Sequence, residues 1–402
     1  KYHRFISAES LKNVFPGINI PGLYGAYQFS DAMTNDSRLV MRVLQEGMKD
    51  GGHALNYVSV INLLRENEHV CGVQVEEVNS SKKILIRASA IVNATGAWAG
   101  KLQDQIKPAF KIRPLRGSHL VIPSRLLPIK DVLTFFHPKD RRSVFVYPWE
   151  GTTVIGTTDL DHSLDLDTEA SISQDELVYL LAAFNSQFPE NSICEEDIIS
   201  TWAGVRPIIS GDKESAPSSE RRDHSIWSNS GLITVSGGKL TTFRLIAKEV
   251  MRTLQKYLPK GPVGKDEHVF KNIKMDANRL LSDSPDLAKK LISRYGIASL
   301  ELVNNMPTEE LKPISNALYC MAECRWIARH ESIQHLDDLL LRRTALGLIL
   351  SDYGAEVFPY LQLICRDELG WNQRKWLYEV DRYKDICYQH YGVPEKSHAS
   401  AA

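Results

Sequence analysis

The 402-residue sequence has few cysteines, no long apolar run and almost no net charge. Its six cysteines follow no regular spacing, which argues against a disulfide framework and for reduced thiols in a cytosolic compartment. A membrane-spanning helix needs ~18 apolar residues, and the nearest candidate, around Leu339 to Leu350, is interrupted by Arg342 and Arg343. We therefore expect any membrane contact to be peripheral.

Several motifs are also missing. A search for the dinucleotide-binding turn G-x-G-x-x-G finds none, and the chain starts at Lys1 without a signal-peptide pattern, so we interpret it as a fragment. His330 and His335 are five residues apart, which does not match the i, i+4 spacing of a zincin helix. Cys320 and Cys324 have no second Cys or His pair nearby and are interpreted as buried apolar residues. No metal site is predicted.

The composition is that of a globular protein. There are 48 Lys and Arg against 49 Asp and Glu, and 43% of the residues are hydrophobic. These values argue against disorder, collagen-like repeats and a polycation that binds nucleic acid. The length predicts two to four domains with a substantial α/β portion.

The first part of the chain predicts one helix followed by strands. Asp36 is placed to cap a helix that extends through Lys49. The following β-rich runs are 54–63, 70–78 and 84–92. The last two runs predict a hairpin, and the second of them ends in the small residues of 93–98, where the backbone can approach a ligand closely.

Farther along, a second sheet and then a helical domain are predicted. The second sheet lies within 107–159, and Ser173 begins a capping box followed by an amphipathic helix. The strand 232–236 leads directly into Gly237-Gly238-Lys239 and another helix. After the Pro- and Gly-rich linker at 259–264, the apolar spacing predicts a separate helical domain that ends near His390.

Three features of the sequence are candidates for chemistry. The strand–Gly-Gly-Lys–helix junction suits an anion or an electron-rich ring edge, although an ordinary tight turn fits the motif equally well. Arg206 and Arg222 suit a phosphate or carboxylate, and the alternative is a structural ion pair together with a solvated loop charge. His119 has the right unperturbed pKa for a general base, whereas a lone His is more often structural.

Seven motifs in order resemble the FAD-dependent glycerol-3-phosphate dehydrogenases. They are Asp31 with Asn35-Asp36-Ser37-Arg38-Leu39, Val92 to Trp98, Arg116 to His119, Val146 to Trp149, Ile155 to Asp159, Gly204 to Pro207 and Gly237 to Arg244. The segment Leu336 to Thr344 is similar to that family's C-terminal cap. The family opens with a βαβ unit that holds the flavin pyrophosphate, and we expect this N-terminal segment to be missing from the chain.

The resemblance implies an α/β (α+β) flavoprotein fold of the glycerol-3-phosphate/D-amino-acid oxidase type with a C-terminal all-α domain. The implied segments are 1–34 and 105–200 for the substrate domain, 35–104 and 201–260 for the FAD domain, 265–392 for the helical domain, and 393–402 for a disordered tail.

The resemblance also implies roles for particular residues. Those expected at the FAD are Val58, Ala94, Thr95, Gly96, Gly238, Lys239, Leu240 and Thr241. The candidates for the substrate phosphate are Arg206, Arg222 and Lys239, and His119 is the candidate base. The implied reaction oxidises glycerol 3-phosphate to dihydroxyacetone phosphate, as His119 takes the C2 hydroxyl proton while the hydride passes to FAD. Arg206 near the developing alkoxide would help to stabilise it.

Other functions stay open at this point. Within the flavin enzymes they are a glycerol-3-phosphate oxidase that uses oxygen and an amino-acid or hydroxy-acid oxidase; the arginines favour phosphate over carboxylate. A protein of another class would bind a phosphate ligand or a partner without catalysis. For the dehydrogenase, the resemblance implies a quinone or other electron acceptor and a cytoplasmic protein that contacts the inner face of the cytoplasmic membrane. The helical domain is a plausible surface for a homodimer.

Overall fold

The computed structural model describes residues 3–103, 111–209, 224–259, 268–270, 273–315 and 317–394. The strands in these ranges are β1 Arg4–Ser7, β2 Gly25–Gln28, β3 Val58–Glu66, β4 His69–Glu77, β5 Lys83–Arg87, β6 Ile91–Asn93, β7 Ile112–Pro123, β8 Leu133–Phe136, β9 Ser143–Trp149, β10 Thr152–Gly156, β11 Leu160–Asp161, β12 Ser200–Ile209, β13 His224–Asn229 and β14 Leu232–Gly237. The α-helices are α1 Ala8–Val14, α2 Asp36–Lys49, α3 Ala99–Gln103, α4 Gln174–Gln187, α5 Phe243–Leu254, α6 Ala277–Leu280, α7 Pro285–Tyr295, α8 Ala298–Asn305, α9 Met321–His330, α10 Leu346–Ile349, α11 Phe358–Leu369 and α12 Gln373–Ile386. None of the helices in these ranges combines the length and apolar character needed to cross a membrane.

The largest sheet is built around the long strand β7. Strands β10 and β11 pair with successive parts of one edge of β7, and β12 pairs with its other edge. Strands β9 and β8 extend the sheet beyond β10, and all of these pairs are antiparallel. Helix α4 contacts β7 and β10, and its Leu177, Leu180 and Phe184 belong to the apolar core under the sheet. The capping box predicted at Ser173 is confirmed.

A second group of strands includes the one parallel pair among the described residues. Strand β14 pairs parallel with β6 on one side and antiparallel with β13 on the other. Strands β3, β4 and β5 form a separate antiparallel sheet, and β4 also contacts β6. Helix α5 packs on β13 and β14, so the strand–turn–helix order predicted around 237–239 is confirmed.

The C-terminal helices enclose two further cores. Helices α9 and α11 contact each other in the larger core, which includes Leu336, Leu346 and Tyr383. The smaller core includes Leu287 and Leu302 of α7 and α8. A π-helical turn, Asp338–Arg343, takes up part of the predicted helical run 336–350. Helix α2 contacts α7 and this π-helical turn, so the N-terminal half of the chain packs directly on the helical domain.

Three local predictions were wrong. Asn35, not Asp36, caps α2, because the Asn35 side chain accepts a hydrogen bond from the Arg38 backbone N–H. The run 84–92 is two strands in different sheets, since pairing with β4 ends at Arg87. The sequence also predicts that His119 lies where a loop enters a strand, but it lies within β7, which is paired on both edges there. Arg222, most of the 259–264 linker and nearly all of the tail lie outside the described residues.

Candidate active site

Two aromatic rings lie face to face across the pairing of β7 and β12. His119 is directly opposite Trp202 in the register, and the two ring centroids are 3.8 Å apart with an interplanar angle of 8°. On the other edge of β7, His119 is opposite Gly156 of β10. A Cβ atom at Gly156 would overlap the imidazole, so a glycine is needed there to leave room for the ring. The imidazole is therefore held between a stacked indole and the backbone of β10.

The guanidinium of Arg206 lies on the same face of the sheet, over Gly117, which has no side chain. Alternation along a strand puts Trp202, Gly204 and Arg206 on one face of β12, and Gly117 is opposite Gly204 in the register. A Cβ at Gly117 would collide with both terminal nitrogens of Arg206. Arg206 therefore reaches across Gly117, and the two facing glycines form a trough between the guanidinium and the His119–Trp202 stack.

Two oxygens from the segment after β10 orient the guanidinium. Arg206 Nη2 donates to Thr157 Oγ1 at 3.2 Å, and Nη1 lies 3.4 Å from Asp159 Oδ1. The Arg206 and Asp159 side chains are mostly buried, so this ion pair is screened less than a surface pair. A positive charge is thus fixed close to the imidazole.

Burial and this charge determine the protonation state of His119. Burial, and then the Arg206 charge, lower the pKa of His119 from 6.5 to about 3. The imidazole is therefore neutral at pH 7. Its Nδ1 is buried and has no hydrogen-bond partner among the described residues. A neutral ring with an unpartnered nitrogen can accept a proton, but a pKa of about 3 makes it a weaker base than the unperturbed imidazole expected from the sequence.

We expect His119 to make the folded protein sensitive to acid. Because its pKa is lower in the folded state, unfolding takes up a proton between pH 6.5 and about 3, and stability falls as the pH drops through that range. The expected loss is about 2 kcal/mol at pH 5. Urea unfolding at pH 7 and pH 5 should show a loss in wild type that exceeds the loss in His119→Phe, which keeps the aromatic stack, by about this amount. An equal pH dependence in the two proteins would contradict the assignment.

The close approach of β10 to His119 gives a second prediction. Gly156→Ala should displace the imidazole from Trp202, because the added methyl group overlaps the ring. Such crowding of a buried site costs about 1–3 kcal/mol of stability. Urea unfolding measures this loss, and a change in Trp202 fluorescence reports the disturbed stack.

Gly47→Ala is the matched control for Gly156→Ala. Gly47 lies inside α2, where an added Cβ meets no atom within 4 Å, so the same change should stabilise the protein by about 0.5–1 kcal/mol. If Gly156→Ala were as stable as Gly47→Ala, the ring would not depend on the glycine.

A glycine-containing turn contacts the strand that carries Arg206. Strand β12 contacts both β14 and the turn Gly96–Trp98, and these two also contact each other. The buried Asn93 side chain holds the turn, since it donates to Ala99 O and accepts from Thr95 Oγ1. Gly96 has φ +61°, and a Cβ there would meet no atom within 4 Å. The predicted small-residue segment thus leaves open space beside β12.

The Gly-Gly-Lys junction begins at the end of β14. Gly238 has φ +91°, and a Cβ there would press on Ile246 of α5, so the turn requires glycine. Lys239 is exposed and has no carboxylate partner among the described residues. Helix α5 has neither a side-chain cap nor an acidic residue in its first turn. Its positive end is therefore available to a negatively charged group.

The residues present fit a bound planar polar cofactor such as a flavin. Ser236 Oγ, Trp202 Nε1 and His119 Nδ1 are buried without hydrogen-bond partners in the described part of the chain. Buried polar atoms nearly always have a hydrogen-bond partner, and a bound polar ligand would supply one for these three atoms. Gly96 and Gly204 also leave space that no atom of the described residues fills.

The structure brings some of the predicted site residues together. His119 and Arg206 share one site. Ala94, Thr95 and Gly96 lie in or just before the turn that contacts β12, and Gly238, Lys239, Leu240 and Thr241 follow β14. Val58 begins β3 in a different sheet. Arg222 lies outside the described residues.

Sequence reasoning did not identify Trp202 as part of the site. It also gave no role to Thr157 and Asp159. The period-two spacing of Trp202, Gly204 and Arg206 was the available signal, since it places all three on one face of a strand. The partners of that face depend on the pairing register with β7.

Comparison with known proteins gives two family matches. Residues 1–253 match the family described as FAD dependent oxidoreductase. Residues 243–376 match the C-terminal domain of alpha-glycerophosphate oxidase. The first match covers more than half of the chain.

Individual relatives were found by sequence and by structure. The chain is 30% identical over 370 residues to an aerobic glycerol-3-phosphate dehydrogenase of Staphylococcus haemolyticus, covering 86% of this chain and 66% of that protein. It is 30% identical over 353 residues to the protein of the same name from Staphylococcus aureus, covering 82% and 63%. The fold is similar to that of the glycerol-3-phosphate dehydrogenase from Bacillus halodurans complexed with FAD, with a TM-score of 0.76, 22% identity and coverage of 96% of this chain and 79% of that one. The chain thus spans a little less than two thirds of the length of the two staphylococcal relatives.

Proposed function

Because the chain belongs to the FAD-dependent oxidoreductase family, we propose that it supplies the substrate site of a protein that oxidises glycerol 3-phosphate to dihydroxyacetone phosphate. The observation that carries the proposal is the partly buried, neutral His119 beside the fixed guanidinium of Arg206. A base and a positive charge at one site suit the removal of a proton from an alcohol in a negatively charged substrate. The names of the relatives favour glycerol 3-phosphate as that substrate.

The proposed chemistry uses the chain's own residues at three points. Neutral His119 accepts the proton of the C2 hydroxyl, and the stacked Trp202 keeps the imidazole oriented and shielded from water. Arg206 stabilises the negative charge that develops on the C2 oxygen. Lys239, with Arg206 and Arg222, is proposed to bind the phosphate.

The FAD is proposed to lie against the two glycine turns. Ala94, Thr95, Gly96 and Val58 are proposed on its adenosine side, with Gly238, Lys239, Leu240 and Thr241 at its ring system. When bound, FAD supplies the oxidation by accepting the hydride from C2. The positive end of α5 favours negative charge on the reduced ring.

A spectroscopic experiment tests this function. The FAD-loaded protein is mixed without oxygen with glycerol 3-phosphate, glycerol, glycine or lactate, and the flavin absorbance is followed. We expect glycerol 3-phosphate alone to bleach the flavin. Bleaching by glycine or lactate but not by glycerol 3-phosphate would instead identify an amino-acid or hydroxy-acid oxidase. A protein that takes up no FAD would support non-catalytic ligand binding.

Quinone is the proposed electron acceptor, and oxygen is the second candidate. The match of residues 243–376 to a glycerophosphate oxidase domain favours the second candidate specifically. Turnover is therefore measured with a soluble quinone and, separately, as hydrogen peroxide formed in air. Faster turnover with quinone supports the dehydrogenase, and stoichiometric peroxide supports the oxidase.

The assembly and location of the protein follow as separate proposals. A quinone acceptor places the protein at the inner face of the cytoplasmic membrane through a peripheral contact. Flotation with lipid vesicles should then recover it in the vesicle fraction. A homodimer through the helical domain is tested by light scattering.

A further inference from the structure

A cleft of about 270 Å³ lies between α2, α7 and the turn that joins β9 to β10. Arg38 and Arg42 of α2 line one side, and Lys290 and Arg294 of α7 line another. The β9–β10 turn contributes Glu150, so the lining holds four cationic side chains and one carboxylate. None of the lining residues belongs to β7, β12 or the glycine turns of the candidate active site.

Three carboxylates balance three of the four cations. Arg38 makes a two-pronged pair with Glu331, with both distances 2.7 Å. Arg294 pairs with Glu150 at 2.7 Å and with Glu323 at 2.9 Å. Lys290 shares Glu150 at 3.2 Å. Among the described residues, these pairs account for three of the four lining cations and leave Arg42 without an ion-pair partner.

Arg42 is the lining cation that has no carboxylate within ion-pair distance among the described residues. Its guanidinium lies 4.4 Å from the centre of the Phe270 ring, and the described residues place no carboxylate within ion-pair distance of it. Glu46, one turn along α2, is hydrogen-bonded to Lys49 at 2.8 Å. Burial lowers the pKa of Arg42, the Glu46 carboxylate acts in the opposite direction, and the neighbouring Arg38 lowers the pKa. The helix therefore holds a half-buried cation whose nearest carboxylate on the same helix, Glu46, is hydrogen-bonded to Lys49.

Two buried donors at the cleft also lack acceptors. Arg38 and Arg294 are each 2% exposed, and the Nε atom of each has no hydrogen-bond partner among the described residues. Buried N–H groups are nearly always satisfied in folded proteins. A ligand with acceptor atoms and at least one negative charge would satisfy the two unused donors and also pair with Arg42.

We propose that this cleft binds a compact anion, namely a phosphate group or a small phosphomonoester. A phosphate offers several acceptor oxygens and about two negative charges, which suits a mixture of guanidinium and ammonium donors. The volume is below that of pockets for drug-sized ligands, which are about 300–1,000 Å³. The ligand joins α2 to α7 and so stabilises the packing of the N-terminal half on the helical domain.

The test separates this cleft from the candidate active site. Isothermal titration calorimetry with inorganic phosphate is done on the FAD-loaded Arg206→Gln protein, in which the active-site guanidinium is removed. We expect saturable binding to persist. Adding Arg42→Gln or Lys290→Gln should weaken that binding at least tenfold. Arg42→Gln breaks none of the buried ion pairs, so the fold should be retained, and circular dichroism checks this.

Arg279→Gln is the control, since Arg279 is an exposed α6 cation outside the cleft. It should leave phosphate binding unchanged. Glycerol 3-phosphate in place of inorganic phosphate shows whether an organic phosphate binds more tightly. Loss of all binding in Arg206→Gln, or equal binding after Arg42→Gln and Lys290→Gln, overturns the proposal. If Arg206→Gln binds as many phosphates as wild type, the proposed substrate role of Arg206 fails. The cleft proposal still stands in that case if Arg42→Gln or Lys290→Gln removes one phosphate site.

Discussion

Arg206→Met is expected to lower kcat/KM for glycerol 3-phosphate by about 10²–10³-fold in the FAD-loaded protein. Among the described residues, the guanidinium is the positive group that acts on His119, and Thr157 and Asp159 hold it in place. Methionine fills much of the same volume but cannot stabilise a developing alkoxide. The rate of flavin bleaching at several substrate concentrations separates the effect on kcat from that on KM.

Two further variants show whether the loss in Arg206→Met comes from the charge and shape of the guanidinium at this site. Arg206→Lys keeps the charge but loses the planar fork, so it should recover only part of the activity. Arg87→Gln removes an exposed arginine from the edge strand β5, where it pairs with Glu66, and should leave the kinetics unchanged. Wild-type kcat/KM in Arg206→Met would remove Arg206 from the mechanism.

Glu331→Gln is expected to lower the free energy of unfolding by about 3–5 kcal/mol. Glu331 is fully buried and accepts two hydrogen bonds from the buried Arg38 of α2. Without the carboxylate, Arg38 keeps a charge that has no partner in a region of low dielectric. Urea unfolding measures the loss, and hydrogen exchange should show faster opening of α2 and α9.

A surface pair and a double variant provide the comparisons. Glu46→Gln breaks the exposed pair with Lys49 and should change the free energy of unfolding by less than about 0.5 kcal/mol. Arg38→Met combined with Glu331→Leu should recover most of the stability, because apolar groups can replace a buried ion pair at little cost. A Glu331→Gln protein as stable as Glu46→Gln would show that the pair does not anchor α2.

Local signals in the sequence predicted local structure well. The capping box at Ser173, the hairpin of β4 and β5 and the junction after β14 each depend on residues a few positions apart. The cap of α2 was placed one residue late, since Asn35 and Asp36 are both good capping residues and only the backbone geometry decides between them.

The arrangement of the site depends on contacts between distant segments. The resemblance singled out His119 and Arg206, and the structure places them together. Trp202 acquires its role only through the register of β12 on β7. The pairing of Arg38 with Glu331 links residues far apart in the sequence, and no local pattern predicts it.

Gly117 and Gly204 lie opposite each other on the neighbouring strands β7 and β12, but a larger side chain would meet different surroundings at the two positions. At Gly117 a methyl group would collide with the protein itself, because it would displace the guanidinium of Arg206. At Gly204 a methyl group would contact no atom of the described residues, so packing in the fold does not require glycine there. A ligand that passes close to Gly204 would explain a glycine at this position, because a side chain there would occupy the space that the ligand needs.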